Sequence, residues 1–371
     1  MTDPLRVAVL GAGGTIAPAI VRDLADSPEI GRMRLLDLDG DRAAAVADAH
    51  GGAKASAMAV DAAGEDLPYA LSGCDVLVNS ASYRFNLHAM RACLAAECHY
   101  LDLGGLYWMT GRQLELDSDF RAAGLVGILG IGSSPGKTNL MALRAAREVG
   151  AERLDSVHVS AASRDLDPPP GDALLLPYAL RTLIDEVTLK PVAIRGGEPV
   201  ELEPMTASGD VDYGDPIGTA PTIFTLHSEL RTFGDSFGCD EASFRLSLTP
   251  ALLERLRALA AAADEEIDAA ARSARPQSAR TVSVHRVDAA AGDREVTVCA
   301  LTRPSEEWGL GGGIVSTASP AAAAVRLIAR GRVAGRGVLA PERALDPDDV
   351  FPELERRGCT FTVASRQAVG A

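Results

Sequence analysis

A short apolar run, a glycine-rich turn, a helical stretch and a second apolar run ending in an acid open this sequence. Arg6–Leu10 leads directly into the turn Gly11–Ile16, and the second run ends at Asp37, 26 residues after Gly11. In such a unit the first glycine permits a tight turn, the next lets the backbone approach a pyrophosphate, and the helix N-terminus faces the phosphates. The terminal acid can accept both ribose hydroxyls of an adenosine. The opening therefore predicts a dinucleotide-binding fold.

The predicted cofactor is NAD, with NADP as the alternative. Asp37 would repel a 2′-phosphate, and no arginine follows it before Arg42. Ile16 stands where the fingerprint has its third glycine, so either the helix lies further from the strand or Ala17 makes the close contact. A doubly wound domain that has lost its nucleotide is the other interpretation. The residues expected to contact the cofactor are Gly11, Gly13, Gly14, Thr15, Ile16, Asp37, Asn79, Ser80 and Ala81.

Alternating strand and helix patterns fill the first third of the chain. The apolar runs lie at 5–10, 33–38, 54–60, 75–79, 99–103 and 125–130. Six such runs with helices between them predict an α/β fold, a Rossmann-type doubly wound parallel sheet. Ligands bind at the carboxyl ends of the strands in such sheets. After residue 136 the pattern becomes a mixture of strands and helices, with a hairpin at 280–302, which predicts a second α+β domain.

Composition excludes several classes of function. A formal net charge of −15 argues against a nucleic-acid partner, because phosphate backbones require a basic surface. No run of 18 apolar residues and no signal pattern occurs, so neither a membrane nor export is expected. The six cysteines lack metal-ligand spacing, which predicts a cytoplasmic protein without a metal.

Three segments of the first part of the chain carry a more specific signal. These are Asn79–Leu87, His99–Tyr107 and Gly130–Asn139, and in this order and spacing they resemble the saccharopine dehydrogenase family, particularly its shorter lysine-dehydrogenase-like branch. Further segments of the same kind are Thr182–Glu186, Thr225–Glu229 and Gly337–Glu342. The chain departs from saccharopine reductases at Ser134, where they have an acid, and at Lys137, where they have an apolar residue. These departures argue against saccharopine itself as the substrate.

The resemblance implies a two-domain oxidoreductase that passes hydride between a nicotinamide and a carbon–nitrogen bond of a small, amino-acid-derived substrate. It implies that residues 1–136 bind the dinucleotide and that 137–314 form the substrate and dimerisation domain of a homodimer. It also implies that the C-terminal segment, 315–371, packs back on the nucleotide domain.

Candidate residues for the chemistry follow strand ends in both domains. Lys137, at a helix start, can hold an anionic substrate group or accept a proton. His227 can relay the amine proton, and Tyr83 can donate to a carboxylate or stack on the nicotinamide. The catalytic candidates are therefore Lys137, His227 and Tyr83, and the substrate-binding candidates are Tyr83, Arg84, Asn139, Glu186 and Ser228.

Simpler interpretations exist for these residues. Lys137 could be a surface lysine, Arg84 a solvated charge, and Glu186 one half of a surface ion pair. Asp102 is expected to be structural or close to the cofactor rather than catalytic. Two other functions also fit the sequence, a carbonyl reductase on the same fold and a catalytically silent nucleotide-binding protein.

Overall fold

Two compact units make up the chain. The computed structural model describes residues 3–168, 175–176, 178–276 and 278–367. One unit comprises Met1–Asn139 with Thr317–Leu354, and the other Leu140–Ser316 with Glu355–Ala371. The C-terminal segment 315–371, predicted to stay with the nucleotide domain, is thus divided between the units. Strands and helices are numbered along the chain.

The first unit is a parallel sheet with helices in the connections. Its strands are β1 (Leu5–Leu10), β2 (Ile30–Asp37), β3 (Ala55–Ala59), β4 (Val76–Asn79), β5 (His99–Asp102), β6 (Val126–Ile128) and β17 (Gly337–Leu339). Its helices are α1 (Ala17–Ala25), α2 (Gly40–Val46), α3 (Leu67–Leu71), α4 (Asn86–Ala96), α5 (Leu106–Leu114), α6 (Asp117–Ala122), α13 (Pro341–Ala344) and α14 (Pro347–Glu355). The strand order is β17-β6-β5-β4-β1-β2-β3, so the order reverses between β1 and β4.

Burial explains why these runs become strands. The last four residues of β1 and all four of β4 are buried, because helices cover both faces of a parallel sheet. The predicted Rossmann-type sheet is confirmed. It has one strand more than the six expected, because β17 pairs in parallel with β6. Three residues so far along the chain carry too little periodicity to reveal a strand; their pairing is a tertiary effect.

The second unit is built on a mixed sheet. Its strands are β7 (Ser156–Asp165), β8 (Leu175–Leu176), β9 (Val192–Arg195), β10 (Glu198–Glu201), β11 (Ala207–Asp212), β12 (Thr219–Phe224), β13 (Glu241–Leu246), β14 (Arg275–Pro276), β15 (Thr281–Ala291), β16 (Arg294–Thr302) and β18 (Cys359–Gln367). Its helices are α8 (Leu180–Thr188), α9 (Leu230–Phe237), α10 (Pro250–Ala260) and α11 (Asp264–Ser273). The path through the sheet is β10-β9-β13-β7-β15-β16-β18, with β12 and β11 added beside β13. The predicted α+β second fold is confirmed.

Two helices have residues in both units. Helix α7 (Lys137–Val149) starts in the first unit, and α12 (Gly312–Ala329) starts in the second. Among the described residues, α12 is the one helix long and apolar enough to cross a membrane. Yet 72% of its 18-residue window is buried within the protein.

A buried arginine joins the late helices to α1 inside the first unit. The Arg326 Nη1 atom lies 3.0 Å from Asp23 Oδ1 and donates to Ser27 Oγ at 3.1 Å. Its Nε atom is 3.1 Å from Glu353 Oε2, and the three charged side chains are almost fully buried. Arg330 extends the network by bonding the same Glu353. The late segment is therefore part of the core of the first unit.

Candidate functional site

The glycine turn after β1 lies against the segment that follows β4. Gly11 has φ +76°, and a Cβ atom there would stand 2.8 Å from the backbone of Ala81. Ser80 N donates to Leu10 O at 2.9 Å, which holds the two strand ends side by side. Only glycine fits this position, because both the dihedral angle and the close contact exclude a side chain. Ser80, Ala81 and the turn therefore lie together.

Asp37 closes the turn from the end of β2. Its Oδ2 atom accepts a hydrogen bond from Gly13 N at 2.8 Å, and its Oδ1 atom accepts one from Asp39 N at 3.0 Å. The Arg42 guanidinium donates to Gly13 O. A Cβ atom on Gly13 would lie 2.9 Å from Arg42 Cβ, so the absence of a side chain at Gly13 leaves space for the Arg42 side chain. An open groove at this point is lined by Asp37, Leu38, Asp39, Gly40, Asp41, Arg42 and Ala59.

The start of α1 suits a pyrophosphate. No side chain caps the helix at Ile16, so its first N–H groups are not used by a capping side chain. Helix N-termini attract anions through these groups and the helix dipole. Ala17 is completely buried, which favours Ala17 as the close-contact residue, while Thr15 is exposed. The turn, the helix start and Asp37 thus fit NAD or NADP.

Replacing Asp37 by serine should shift cofactor preference towards NADP. The change removes a carboxylate that would repel a 2′-phosphate and leaves the Arg42 guanidinium next to the turn. It also removes the bond to Gly13 N, so NAD affinity should fall at the same time. Calorimetric dissociation constants for both cofactors give the ratio, and the exposed Asp48→Ser is the matched control. A native preference for NADP, or an unchanged ratio, would contradict this interpretation of Asp37.

Asn79 contacts protein rather than open space. Its Nδ2 atom donates to Asn86 Oδ1 at 2.9 Å and to the Tyr100 hydroxyl at 3.3 Å. Its Oδ1 atom accepts from Ala81 N at 3.1 Å. The side chain therefore shapes the turn containing Ser80 and Ala81 from the inside.

Tyr83 and Arg84 follow in a short turn. The Arg84 guanidinium lies over the Tyr83 ring, 4.9 Å from its centre, and Arg84 N lies 3.5 Å from Ser82 Oγ. Tyr83 is half-buried and Arg84 is exposed. This cation–π pair keeps the two predicted residues together after β4.

Lys137 is a buried lysine at the first position of α7. It is 1% exposed, and its backbone N donates to Gly132 O at 2.9 Å. This burial excludes the interpretation as a surface lysine, and lysines are rarely buried without partners. Asn139 uses its amide to connect neighbouring segments: Oδ1 accepts from Gly136 N, and Nδ2 donates to Glu342 Oε2, both at 2.8 Å.

The second unit contains a buried acid–imidazole cluster. The His227 Nδ1 atom lies 3.2 Å from Glu229 Oε2, and its Nε2 atom lies 3.8 Å from Glu186 Oε2. The Tyr178 hydroxyl donates to the same Glu186 oxygen. The imidazole stacks on Phe244 with ring centres 3.5 Å apart. Glu186 is therefore not part of a surface ion pair, and it lies next to His227.

Burial and neighbouring charges shift the pKa values of the groups in this cluster. Burial lowers the pKa of His227, but the carboxylates of Glu229 and Glu186 outweigh it, so the net pKa is raised. Burial raises the pKa of Glu186, against the opposing effects of His227 and Tyr178. Burial also raises the pKa of Tyr178, so its phenol stays protonated and donates.

Two hydroxyls beside the cluster are buried without hydrogen-bond partners among the described residues. They belong to Ser228 and Thr225, which flank His227 in the chain. A buried polar atom without a partner is costly, and ligands commonly supply the missing bond. This fits the predicted role of Ser228 in substrate binding.

The titration of His227 should be displaced upwards, in contrast to that of His158. Burial lowers the pKa of His158 to about 4. NMR titration of ¹³C-labelled histidines should find His227 protonated above pH 6.5, and Glu229→Gln should lower its pKa by removing a carboxylate. The raised pKa means that His227 contributes stability below pH 6.5, and this contribution is lost as pH rises through the folded-state pKa. A His227 signal that titrates below 6.5 would contradict this assignment.

Sequence reasoning did not select Tyr178 as a site residue. Tyr178 precedes the segment Thr182–Glu186 in the chain, and only the fold brings its hydroxyl to Glu186. Sequence reasoning also did not select Asn86 and Tyr100, whose buried side chains bond Asn79. The signal for Tyr100 was a polar side chain within an apolar strand, two residues before Asp102. No group of three or more His, Cys, Asp or Glu side chains suited to a metal ion occurs within the described ranges.

Comparisons with known proteins agree with these features. Residues 7–128 match the family described as the saccharopine dehydrogenase NADP binding domain. The carboxyaminopropylagmatine dehydrogenase of Synechocystis is 28% identical over 205 residues, which are 53% of this chain and 50% of that protein. The chain thus spans about half the length of this curated relative.

Two solved structures share the whole fold. The apo saccharopine dehydrogenase (L-Glu forming) of Saccharomyces cerevisiae has a TM-score of 0.69 at 15% identity, covering 98% of this chain and 100% of that one. The homospermidine synthase of Legionella pneumophila, in complex with NAD, has a TM-score of 0.71 at 12% identity, covering 99% and 92%. At these identities the likeness concerns the fold alone. The predicted resemblance thus agrees with the match of residues 7–128 to the saccharopine dehydrogenase NADP binding domain, and the chain shares the fold of a saccharopine dehydrogenase.

Proposed function

We propose that this protein is a NAD(P)-dependent oxidoreductase that transfers hydride at a carbon–nitrogen bond of an amino-acid-derived substrate, with NAD as the preferred cofactor. The observation that carries this proposal is the buried cluster of Glu186, His227 and Glu229. Two carboxyl groups around one imidazole suit a cationic amine and its proton. The names of two relatives, carboxyaminopropylagmatine dehydrogenase and homospermidine synthase, refer to amines and support this substrate class.

Oxidation of an amine to an imine removes a hydride from carbon and a proton from nitrogen. The residues of the first unit would hold NAD(P), which would supply the hydride acceptor. His227, with its raised pKa, holds or releases the proton, and Glu186 and Glu229 stabilise its charged form. The Ser228 hydroxyl has hydrogen-bonding capacity left for the substrate. Lys137 would bind the substrate carboxylate or accept a proton, with Tyr83, Arg84 and Asn139 as further contacts.

Residues of the first unit would hold the cofactor. The backbone of Gly11, Gly13 and Gly14 and the start of α1 would hold the pyrophosphate. Asp37 would accept hydrogen bonds from the adenosine ribose hydroxyls, and Ser80 and Ala81 would contact the nicotinamide ribose. These roles require small residues and free backbone groups, which the close contacts of the turn provide.

Substrate profiling tests the proposal. The purified protein is incubated with NAD and a panel of basic and other amino acids and amines, and NADH formation is followed by absorbance. Imines formed from keto acids and amines test the reverse direction, and keto acids alone serve as the comparison. Turnover of carbonyl compounds alone would indicate a carbonyl reductase, and NAD binding without any turnover would indicate a silent nucleotide-binding protein. Either result contradicts the proposal.

We also propose a cytoplasmic homodimer. Strand β18 lies at one end of the second sheet, and most of its residues are exposed. An exposed edge strand invites pairing with another chain, and pairing within a dimer removes that liability. Light scattering at micromolar concentration should therefore give twice the chain mass, and a monomer would contradict this expectation.

A further inference from the structure

A buried carboxylate at the carboxyl edge of the first sheet has no part in the chemistry proposed above. Asp102, the last residue of β5, is 1% exposed. Its Oδ1 atom accepts hydrogen bonds from Gly104 N at 2.9 Å and from Gly130 N at 2.6 Å. Gly104 follows β5 and Gly130 follows β6. One oxygen atom therefore holds the backbones of two neighbouring loops.

The second oxygen of Asp102 faces amide groups. Its Oδ2 atom accepts from Gln113 Nε2 at 2.6 Å and from Asn86 Nδ2 at 3.2 Å. Asn86 in turn accepts from Asn79, and Asn79 accepts from Ala81 N. A continuous chain of hydrogen bonds thus runs from Asp102 to the turn beside Gly11. Burial raises the pKa of Asp102, and the hydrogen bonds oppose this effect.

A second chain of contacts runs from Asp102 towards Lys137. The Asp102 carbonyl accepts from Ile131 N at 2.7 Å, next to the side-chain bond to Gly130. The loop then closes on itself, because Lys137 N donates to Gly132 O at 2.9 Å. A Cβ atom on Gly130 would lie 2.6 Å from Pro135. The loop therefore has little room to move while Asp102 holds its first residues.

We propose that Asp102 is a positioning residue for the reaction. Its hydrogen bonds fix the position of the loop that carries Lys137 relative to the turn that contains Ala81. This inference rests on the proposed function. The competing interpretation is that Asp102 only stabilises the fold. The two interpretations predict different exposure of the Lys137 side chain in an Asp102 variant that remains folded.

Lysine labelling measures the position of the loop without any substrate. The chain has only three lysines, at 54, 137 and 190. Acetylation by N-hydroxysuccinimidyl acetate, followed by peptide mass spectrometry, reports all three in one sample. Asp102→Asn keeps the shape but turns an amide NH₂ towards the donors of Gln113 and Asn86. We expect Lys137 to be labelled about tenfold faster in this variant through local opening, with the other two lysines unchanged.

The matched control is Phe120→Leu, which weakens the core of the same unit at α6. Phe120 is completely buried, and its backbone bonds Leu116 and Leu125 rather than residues of the loop after β6. It should leave the labelling of Lys137 close to the wild-type rate. An unchanged rate in Asp102→Asn, or an equal increase in both variants, would overturn the proposal.

Turnover distinguishes positioning from stability. Well below the unfolding temperature, Asp102→Asn should lower kcat about 100-fold, because small displacements of reacting groups have effects of this size. The dissociation constant of NAD should rise by a smaller factor than kcat falls, because Asp37 keeps its bond to Gly13 and only the turn that contains Ala81 is displaced. The double variant Asp102→Asn/Gln113→Glu exchanges the carboxylate and the amide between these two positions. It again pairs a carboxylate with an amide and should recover part of kcat.

The outcomes separate this inference from the proposed function. Faster labelling of Lys137 with an unchanged kcat would remove Asp102 from the reaction. If the wild-type protein turns over no amine, the proposed function fails, and so does any role of Asp102 in that reaction. The labelling result then still decides whether Asp102 holds the Lys137 loop.

Discussion

Replacing Lys137 by methionine is expected to lower amine-dependent NADH formation by about 10²–10⁴-fold, the usual cost of losing an acid–base group. Lys137 is buried at the start of α7, in the segment that follows β6. His227→Gln should have an effect of the same order, because glutamine cannot take up and release a proton as the imidazole beside Glu229 and Glu186 can. The measurement is kcat on the substrate identified by profiling, with NAD affinity determined in parallel.

Matched variants separate chemistry from folding. Lys190→Met makes the same substitution at an exposed lysine paired with Glu201, and it should retain full activity. His88→Gln is the matched control for His227→Gln and should also retain full activity. His88 is a histidine of the first unit whose ring bonds a backbone carbonyl. Because Lys137 and His227 are buried, the unfolding temperature of each variant is a required control. Normal turnover in Lys137→Met and His227→Gln would place the chemistry elsewhere, and Tyr83 would be the next residue to test.

Replacing Arg326 by methionine should destabilise the first unit by about 3–5 kcal/mol. Removing one partner of a buried ion pair leaves the others as uncompensated buried charges. Here two carboxylates, those of Asp23 and Glu353, would lose the guanidinium between them. Urea unfolding followed by circular dichroism measures the loss.

An exposed ion pair in the same part of the chain provides the comparison. Arg332 pairs with Asp349 at 2.8 Å, and its side chain is 60% exposed. Arg332→Met should cost about 1 kcal/mol or less, because surface pairs are solvated and contribute little. Equal losses in the two arginine variants would mean that burial does not control the strength of the Arg326 network.

Local sequence patterns determined the first fold. The apolar run before Gly11, the turn and the acid at Asp37 are close together in the chain, so their geometry follows from local sterics and hydrogen bonds. The structure has the turn, the helix and the strand at these places, with Asp37 bonded to Gly13. The order of β1 to β6 follows from alternating strands and helices, because right-handed crossovers leave few topologies.

Tertiary structure alone decided the rest. Three features join residues that are far apart in the chain. They are the pairing of β17 with β6, the ion pair between Arg326 and Asp23, and the position of β18 in the second sheet. The environment of single side chains is also decided by tertiary structure. From the sequence alone Lys137 could be a surface lysine, and only the fold shows that it is buried. Glu186, Tyr178 and His227 become one cluster only when α8 packs near the end of β12. The sequence by itself determined which residue types were present and their local geometry. Their burial, and hence their charge state, depended on long-range packing, because desolvation and Coulomb interactions act between groups that only the folded chain brings together.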